Sequence, residues 1–458
     1  MYPGEWAKKC PEKIAVVDSV TGDALSYSEL DSKSNQLAHF FRAQGIEKGD
    51  HIALFGKNDI KFFEISWAAF RSGIYLTPVN CLLKSDEVSY IVNNSNASLV
   101  ICDKRLEDIC KPILSDINSS INKISFNGHI DGYENYEDVL GEYSEEPLED
   151  QPKGTYMFYS SGTTGRPKGV KWPLPDEQIG EDSAHFLFHR ELWSFDEDTI
   201  SICSSPLHHA APAYMAMTTH AFGGTLVMMP KFDAEEALRV IEKYRVTHGQ
   251  WVPTQFIRMH KLPEKTKARY DLSSMKFALH AAAPCPVELK EKMFDWWGPV
   301  FYEYYSGSEG VGMTHARPEE WLKFPGTVGK PLMGTLHICD EDGTELSIGE
   351  IGKVYFESDH EFTYHQDEKK RQNAQHPDSQ NWTSLGDIGY VNEEGYLFLT
   401  DREQFLIISG GVNIYPREVE DTLVMRDDIL DVAVIGVADD EMGEQVKALI
   451  QLAPGTLE

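Results

Sequence analysis

The sequence predicts an α/β protein: a large N-terminal domain of layered, mostly parallel sheets, followed by a small α+β C-terminal domain. Three observations carry this. The chain has 458 residues, beyond the length at which one hydrophobic core stops growing, so two or more domains are expected. Apolar residues make up 41% and charged residues 25%, which is ordinary globular usage. Apolar runs of strand length alternate with helix-length segments up to about Gly349, and short strands and turns follow.

The elements read in order as follows. Tyr27–Gln44 is a helix, with Ser28 as its N-cap and Gly45 at its end. His51–Phe55 is a short apolar strand. Phe63–Ser72 is a helix closed by Gly73, and Tyr75–Val79 and Ser98–Cys102 are strands. Further on come a strand Thr225–Met229, a helix Ala234–Tyr244, and a strand Met275–Ala281 running into Ala282-Ala283-Pro284. Gly352–Glu357 and Gly395–Leu399 belong to the strand-and-turn region. A smaller unit begins just after Asp401-Arg402. It holds a strand from Leu406 into a glycine turn, a helix Pro416–Met425, and strands Val432–Val437 and Lys447–Leu452.

The formal net charge is −31. Such a surface repels nucleic-acid backbones and anionic lipid, so neither is expected as a partner. A small phosphate site remains compatible, because local amides and one or two cations build it. Seven cysteines, at 10, 81, 102, 110, 203, 285 and 339, show no C-x-x-C or zinc spacing. This fits a reduced, cytoplasmic setting. No apolar h-region opens the chain and no run of 18 apolar residues occurs, so neither a signal peptide nor integral membrane contact is expected.

The strongest chemical signal is Ser160-Ser161-Gly162-Thr163-Thr164-Gly165-Arg166-Pro167-Lys168-Gly169. An apolar strand, Tyr156–Tyr159, feeds it and a short valine strand, 169–172, follows. Three glycines allow backbone N–H groups to converge on an anion. Four hydroxyls add donors, and Lys168 or Arg166 can neutralise charge. Pro167 stands between arginine and lysine and no helix follows, so this is not a Walker A loop.

This loop resembles the signature loop of the adenylate-forming superfamily, which includes acyl-CoA synthetases, luciferases and the adenylation domains of peptide synthetases. The resemblance implies that Ser160, Ser161, Gly162, Thr163, Thr164, Gly165 and Lys168 hold the β- and γ-phosphates of ATP. It covers essentially the whole chain, because further motifs follow in the family order. Ser205–Pro212 contains His208-His209, and the resemblance places His209 in the acid site. Ala210, Ala211, Ala213, Tyr214 and Met217 would line that pocket, with Gly307, Gly310 and Gly334. Ala282, Ala283 and Pro284 resemble the segment that packs on adenine. Tyr304-Tyr305-Ser306-Gly307-Ser308-Glu309 resembles the family pattern Tyr-Gly-x-Thr-Glu. Tyr305 and Glu309 match it, and Ser306 and Ser308 depart from it. An aromatic there can stack on adenine and a carboxylate four residues on can bind Mg²⁺, so Glu309 is the metal candidate. Asp387 and Arg402 resemble the ribose motif, and an ionised carboxylate has two oxygens to offer two hydroxyls.

Gln404 falls at the family's hinge position. The implied domains are therefore 1–403, binding ATP and acid, and a mobile 404–458. Ser409-Gly410-Gly411 and the following Val412–Pro416 resemble the turn that lines the coenzyme A tunnel. The family's adenylation lysine sits in a later Pro-x-x-x-x-Gly-Lys segment that has no match here; Lys447 precedes a strand instead. The small domain is thus expected to be incomplete, its sheet ending at an unpaired edge. The resemblance implies that Thr163, Lys168, His209 and Glu309 act at the reacting groups. It implies an ATP-dependent carboxylic acid–CoA ligase using Mg²⁺, with a medium-chain, long-chain or bulky ring-bearing acid. The alternatives are a luciferase-like or other adenylate-forming enzyme with a different acceptor, and a non-catalytic nucleotide-binding short form. A homodimer is left open.

Overall fold

The computed structural model describes residues 1–160, 166–367, 371–372, 374–409, 412–439, 442–453 and 455. It divides into two compact units. The first is Met1–Gln250 with Ser274–Lys276 and Phe362–Glu368; the second is Trp251–Ser273 with Phe277–Glu361 and Lys369–Glu458.

The first unit is built on two largely parallel sheets. One has the order Glu134–Asn135, Asn122–Phe126, Ala97–Asp103, His51–Phe55, Tyr75–Val79, Thr155–Tyr156, and every pairing in it is parallel. His51–Phe55 and Tyr75–Val79 are buried throughout, as expected of parallel strands covered on both faces. Val88, Ile91 and Val92 from the helix Ser85–Asn94, with Cys110 and Ile113 from Glu107–Ile113, join Phe55, Val79, Val100 and Cys102 in one core. The other sheet has Ile200–Cys203 between Thr225–Met228 and residues 248–250, all parallel. Ile14–Asp18 extends it in parallel and Ala24–Ser26 closes it antiparallel.

Local chemistry explains the element ends. The helix Tyr27–Ala43 starts from Ser26, not from the expected Ser28. The Ser26 hydroxyl accepts from Glu29 N–H at 3.2 Å, and the Glu29 carboxylate accepts from Ser26 N–H at 2.7 Å. This reciprocal pair satisfies two donors at once, whereas Ser28 N–H is spent on Pro11 O. These bonds lower the Glu29 carboxyl below its ordinary value. Its contribution is therefore full above the unfolded value of about 4.3 and is lost as pH falls through the folded value. Ser26→Ala is expected to cost about 1 kcal/mol of stability in urea unfolding at neutral pH. The separate deficit of Glu29→Gln should shrink as the pH is lowered through that range.

The helix expected at Phe63–Ser72 lies at Lys61–Phe70, and Gly73 follows at φ 69°. Ala234–Tyr244 has the expected ends. Asp233 accepts from Glu236 N–H at 2.9 Å, and Arg245 closes the helix in the left-handed region.

The second unit is more antiparallel. Phe277–His280 pairs in parallel with Phe301–Ser306, which continues antiparallel into Met313–Ala316 and Lys330–Met333. A second sheet joins Thr335–Cys339, Gly352–Glu357, Ser379–Val391 and Leu397–Arg402, all antiparallel. The C-terminal sheet has the order Val412–Ile414, Ile407–Ser409, Gly443–Leu452, Ile429–Asp439, next to the helix Pro416–Val424. Its last strand in the chain pairs along its length with Ile429–Asp439 and meets Ile407–Ser409 at Gly443. The fold class is the expected one: mixed α/β with a large parallel-sheet domain and a smaller C-terminal domain. No helix among the described residues is long and apolar enough to cross a membrane.

Candidate active site

In the first unit the expected strand Tyr156–Tyr159 is two strands. Thr155–Tyr156 belongs to the parallel sheet, and Phe158–Ser160 turns into a hairpin with Lys168–Lys171. Ser160 stands opposite Lys168, which closes the described stem of the hairpin. Ser161, Gly162, Thr163, Thr164 and Gly165 lie outside the described residues, as does the Ser160 side chain.

The stem is held by residues that no motif flagged. Lys168 Nζ lies 2.8 Å from Asp367 Oδ2, and this bond raises the Lys168 pKa. The Tyr90 hydroxyl donates to Pro167 O at 3.2 Å, and the Arg166 guanidinium lies 4.9 Å from the centre of the Tyr90 ring. Tyr159 donates its hydroxyl to Asn94 Oδ1 at 2.7 Å. Gly169 is closely packed: a Cβ there would lie 3.1 Å from the Tyr159 ring, which would have to give by a few tenths of an ångström.

His209 occupies the N-cap position of the helix Ala210–Ala221, without a side-chain cap bond. Its ring is 4.5 Å from that of His208. Burial, then His209, lowers the His208 pKa to about 3, and desolvation lowers that of His209 as well. Both rings are therefore neutral near pH 7. Along the helix, Ala213 and Met217 are fully buried, while Ala210 and Tyr214 are only partly so. The Tyr214 hydroxyl shares a hydrogen bond with Thr155 Oγ1 at 3.1 Å, and its ring packs edge-on against Tyr156 at 5.3 Å.

In the second unit the structure brings Tyr305, Asp387 and Arg402 together. Asp387 and Arg402 face each other across two antiparallel strands. The Tyr305 hydroxyl donates to Asp387 Oδ2 at 2.6 Å, and Arg402 Nε donates to Asp387 Oδ1 at 3.0 Å. Burial raises the Asp387 pKa, and Arg402 opposes that shift. Burial, followed by Asp387, raises that of Tyr305. The charge of Glu309 acts on both groups. Glu309 sits in a turn closed by Gly310 N–H donating to Gly307 O at 3.0 Å. A Cβ on Gly307 would lie 2.7 Å from both the Glu309 carboxylate and a Leu385 methyl, so a larger residue there would displace these side chains. Tyr304 is half-buried, Ser308 is exposed, and Gly334 has φ 76°. The departure at Ser306 has a local reason: its hydroxyl donates to Gly312 O at 2.8 Å.

The strand expected at Met275–Ala281 is shorter, Phe277–His280. Ala282 then takes φ 72°, a left-handed conformation that costs a non-glycine residue about 1–2 kcal/mol. Ala282 and Ala283 present exposed methyl groups and Pro284 is half-buried. Ala282→Gly is expected to raise stability by about 1 kcal/mol, read as a higher thermal midpoint.

Beneath this segment lies a polar group absent from the motifs. Lys290 Nζ lies 2.6 Å from Glu303 Oε2, and His280 Nε2 is 3.5 Å from the same oxygen, with all three side chains buried. Sequence offered one signal for it. Glu303 shares its strand face with Phe301 and Tyr305, an inward position where a carboxylate needs a partner.

In the C-terminal sheet Ser409 pairs with Val412; Gly410 and Gly411 lie outside the described residues. Among the described residues no three His, Cys, Asp or Glu side chains form a metal cluster. Glu309 offers one carboxylate, close enough to act electrostatically on Asp387, and one carboxylate suits Mg²⁺ completed by phosphate oxygens and water.

Known proteins are similar to this chain. Long-chain-fatty-acid–CoA ligase FadD13 of Mycobacterium tuberculosis is 27% identical over 449 residues, covering 96% of this chain and 86% of the relative. 3-Oxocholest-4-en-26-oate–CoA ligase of Rhodococcus rhodochrous is 25% identical, covering 97% and 85%. The structure of ATP-bound MatB from Rhodopseudomonas palustris matches with a TM-score of 0.79 at 25% identity, covering 100% of this chain and 90% of that one. The profile of the AMP-binding enzymes matches residues 4–363, well over half of the sequence. The chain belongs to the AMP-binding enzyme family.

Proposed function

We propose that the chain is an ATP-dependent carboxylic acid–CoA ligase that works through an acyl-adenylate. The observation that carries this is the Tyr305–Asp387–Arg402 hub, in a chain that also carries the glycine-rich segment ending in Lys168-Gly169. A buried carboxylate with two oxygens, fixed between a phenol and a guanidinium, is built to take the paired hydroxyls of a ribose.

In this reading the acid's carboxylate oxygen attacks the α-phosphorus of ATP, and pyrophosphate leaves. Lys168 and the loop hydroxyls stabilise the departing phosphates, so catalysis is positioning and charge stabilisation. Asp387, Arg402 and Tyr305 hold the nucleoside while Ala282 and Ala283 flank the base. Glu309 would hold Mg²⁺, which supplies charge neutralisation on the phosphates when bound. Neutral His209 bounds the acid without offering it a competing charge. The thiol of coenzyme A then attacks the acyl carbon, AMP leaves, and the thiol proton passes to solvent. The CoA ligase names of the relatives support this acceptor, as does the Ser409–Pro416 turn.

The acid is a medium-chain, long-chain or bulky ring-bearing one. Small side chains at 210, 211, 213, 307, 310 and 334 support it. A panel from acetate to palmitate, with a steroid-like acid, tests this by CoA-thioester yield. Octanoate and longer acids should exceed acetate; efficient turnover of acetate without octanoate contradicts the roomy pocket.

A further inference from the structure

The turn after the strand His51–Phe55 carries Asn58, which no motif singles out. Its amide is committed on both sides. Nδ2 donates to Ser205 O at 3.0 Å and to Met229 O at 3.1 Å, and Oδ1 accepts from Leu207 N–H at 2.9 Å. Only this orientation of the amide meets two carbonyls and one N–H. Ser205 and Leu207 belong to the loop between the strand Ile200–Cys203 and His209. Met229 follows the neighbouring strand Thr225–Met228, and its N–H donates to Cys203 O at 2.9 Å. One side chain from the first sheet thus fixes the loop and the adjoining strand end of the second.

The turn that presents Asn58 is itself rigid. Lys57 N–H donates to Asp103 Oδ2 at 3.2 Å, and Asp103 is fully buried and held by Arg105 at 2.6 Å. A Cβ at Gly56 would come within 2.9 Å of the Phe126 ring, so the turn packs closely against that ring. Asn58, Leu207 and His208 share a cavity with Leu54, Phe62 and Val79. A shift of the loop would therefore move His208 and His209 together and reshape that cavity.

We propose that Asn58 is a positioning residue for the acid site: its amide sets the loop Ser205–Leu207, and through it the placement of His208 and His209. This rests on the proposed acid activation for its kinetic part, and on geometry alone for the rest. The informative variant is Asn58→Asp. It keeps the shape but turns the donors that face Ser205 O and Met229 O into an acceptor oxygen, so attraction becomes repulsion. Asn58→Ser removes the amide with less disturbance and stands in if the aspartate variant does not fold.

Two readouts separate the proposal from a merely structural role. In NMR titration of the full chain, His208 in wild type should stay neutral down to about 3. In either variant it should titrate closer to free histidine, because the loop opens to water. In kinetics, KM for the acid should rise about tenfold, the worth of one lost net hydrogen bond of about 1.4 kcal/mol, while KM for ATP stays unchanged. An unaltered His208 titration in a folded variant overturns the proposal, as does an equal rise of both KM values. If wild type activates no acid, the proposed function fails, and the His208 titration still decides the loop.

Discussion

Asp387→Ala should weaken ATP and AMP binding by about 100-fold or more. Hydrogen bonds to a charged group are worth roughly 1.5–3 kcal/mol each, and each step of about 1.4 kcal/mol is tenfold in affinity. The carboxylate offers two oxygens to the nucleoside in the proposed complex, so two such bonds are lost together. The variant also releases Tyr305 and Arg402, which donate to it at 2.6 and 3.0 Å. Asp387→Asn separates these contributions. It keeps one acceptor oxygen but replaces the other with a donor facing another donor. Calorimetric titration of AMP checks both variants, with circular dichroism confirming that each is folded. Asn should bind more weakly than wild type and no worse than Ala. Wild-type affinity in Asp387→Ala would remove this residue from the nucleotide site.

The second large effect is on stability. Glu303→Ala should cost about 3–5 kcal/mol, because it leaves the fully buried Lys290 ammonium without its carboxylate. Lys290→Met should cost a similar amount by stranding Glu303. Burial already pushes Glu303 up and Lys290 down, and each partner opposes the other's shift. The double variant Lys290→Met/Glu303→Leu removes both charges and refills the space. It should cost much less than the sum of the single changes, as replacement of a buried pair by packed apolar groups often does. Urea unfolding followed by fluorescence measures all three. Additive losses would show that the pair is not coupled. His280 lies beside the pair with its pKa lowered by burial and then by Lys290, so it contributes a neutral ring. His280 and Glu303 lie on the strands Phe277–His280 and Phe301–Ser306, so loss of the group should be felt at Tyr305.

How much of this could be read from sequence depended on the range of the interactions. His51–Phe55, Tyr75–Val79 and Ala234–Tyr244 are found with the expected ends. Each is an apolar or amphipathic run bounded by local punctuation: Gly73, Asp233, and Arg245 in the left-handed region. Boundaries failed where a tertiary partner decided them. Ser26 caps its helix while Ser28 is engaged by Pro11. Met157 separates two strands because Tyr156 joins one sheet and Phe158 another.

The site divides in the same way. Tyr305, Asp387 and Arg402 stand out as motif residues, and the structure brings these three side chains together. Their mutual bonding was not legible, since 82 residues separate Tyr305 from Asp387. Asp367 on Lys168, Tyr90 on Pro167 and Asn58 on Leu207 carried no local signal at all. Each is an ordinary polar residue until the fold sets it against a distant loop. Lys290 with Glu303 is intermediate: Glu303 alternates with Phe301 and Tyr305 along its strand, but nothing local names its partner.

Joining of a carboxylate to the α-phosphorus of ATP, as proposed for this chain, is tested most directly by heavy-oxygen label in the carboxylate of an accepted acid. After a complete reaction with ATP and coenzyme A, mass spectrometry of the AMP should show one labelled oxygen, carried from the acid through the adenylate. Unlabelled AMP, or ADP with phosphate in place of AMP with pyrophosphate, would contradict the account.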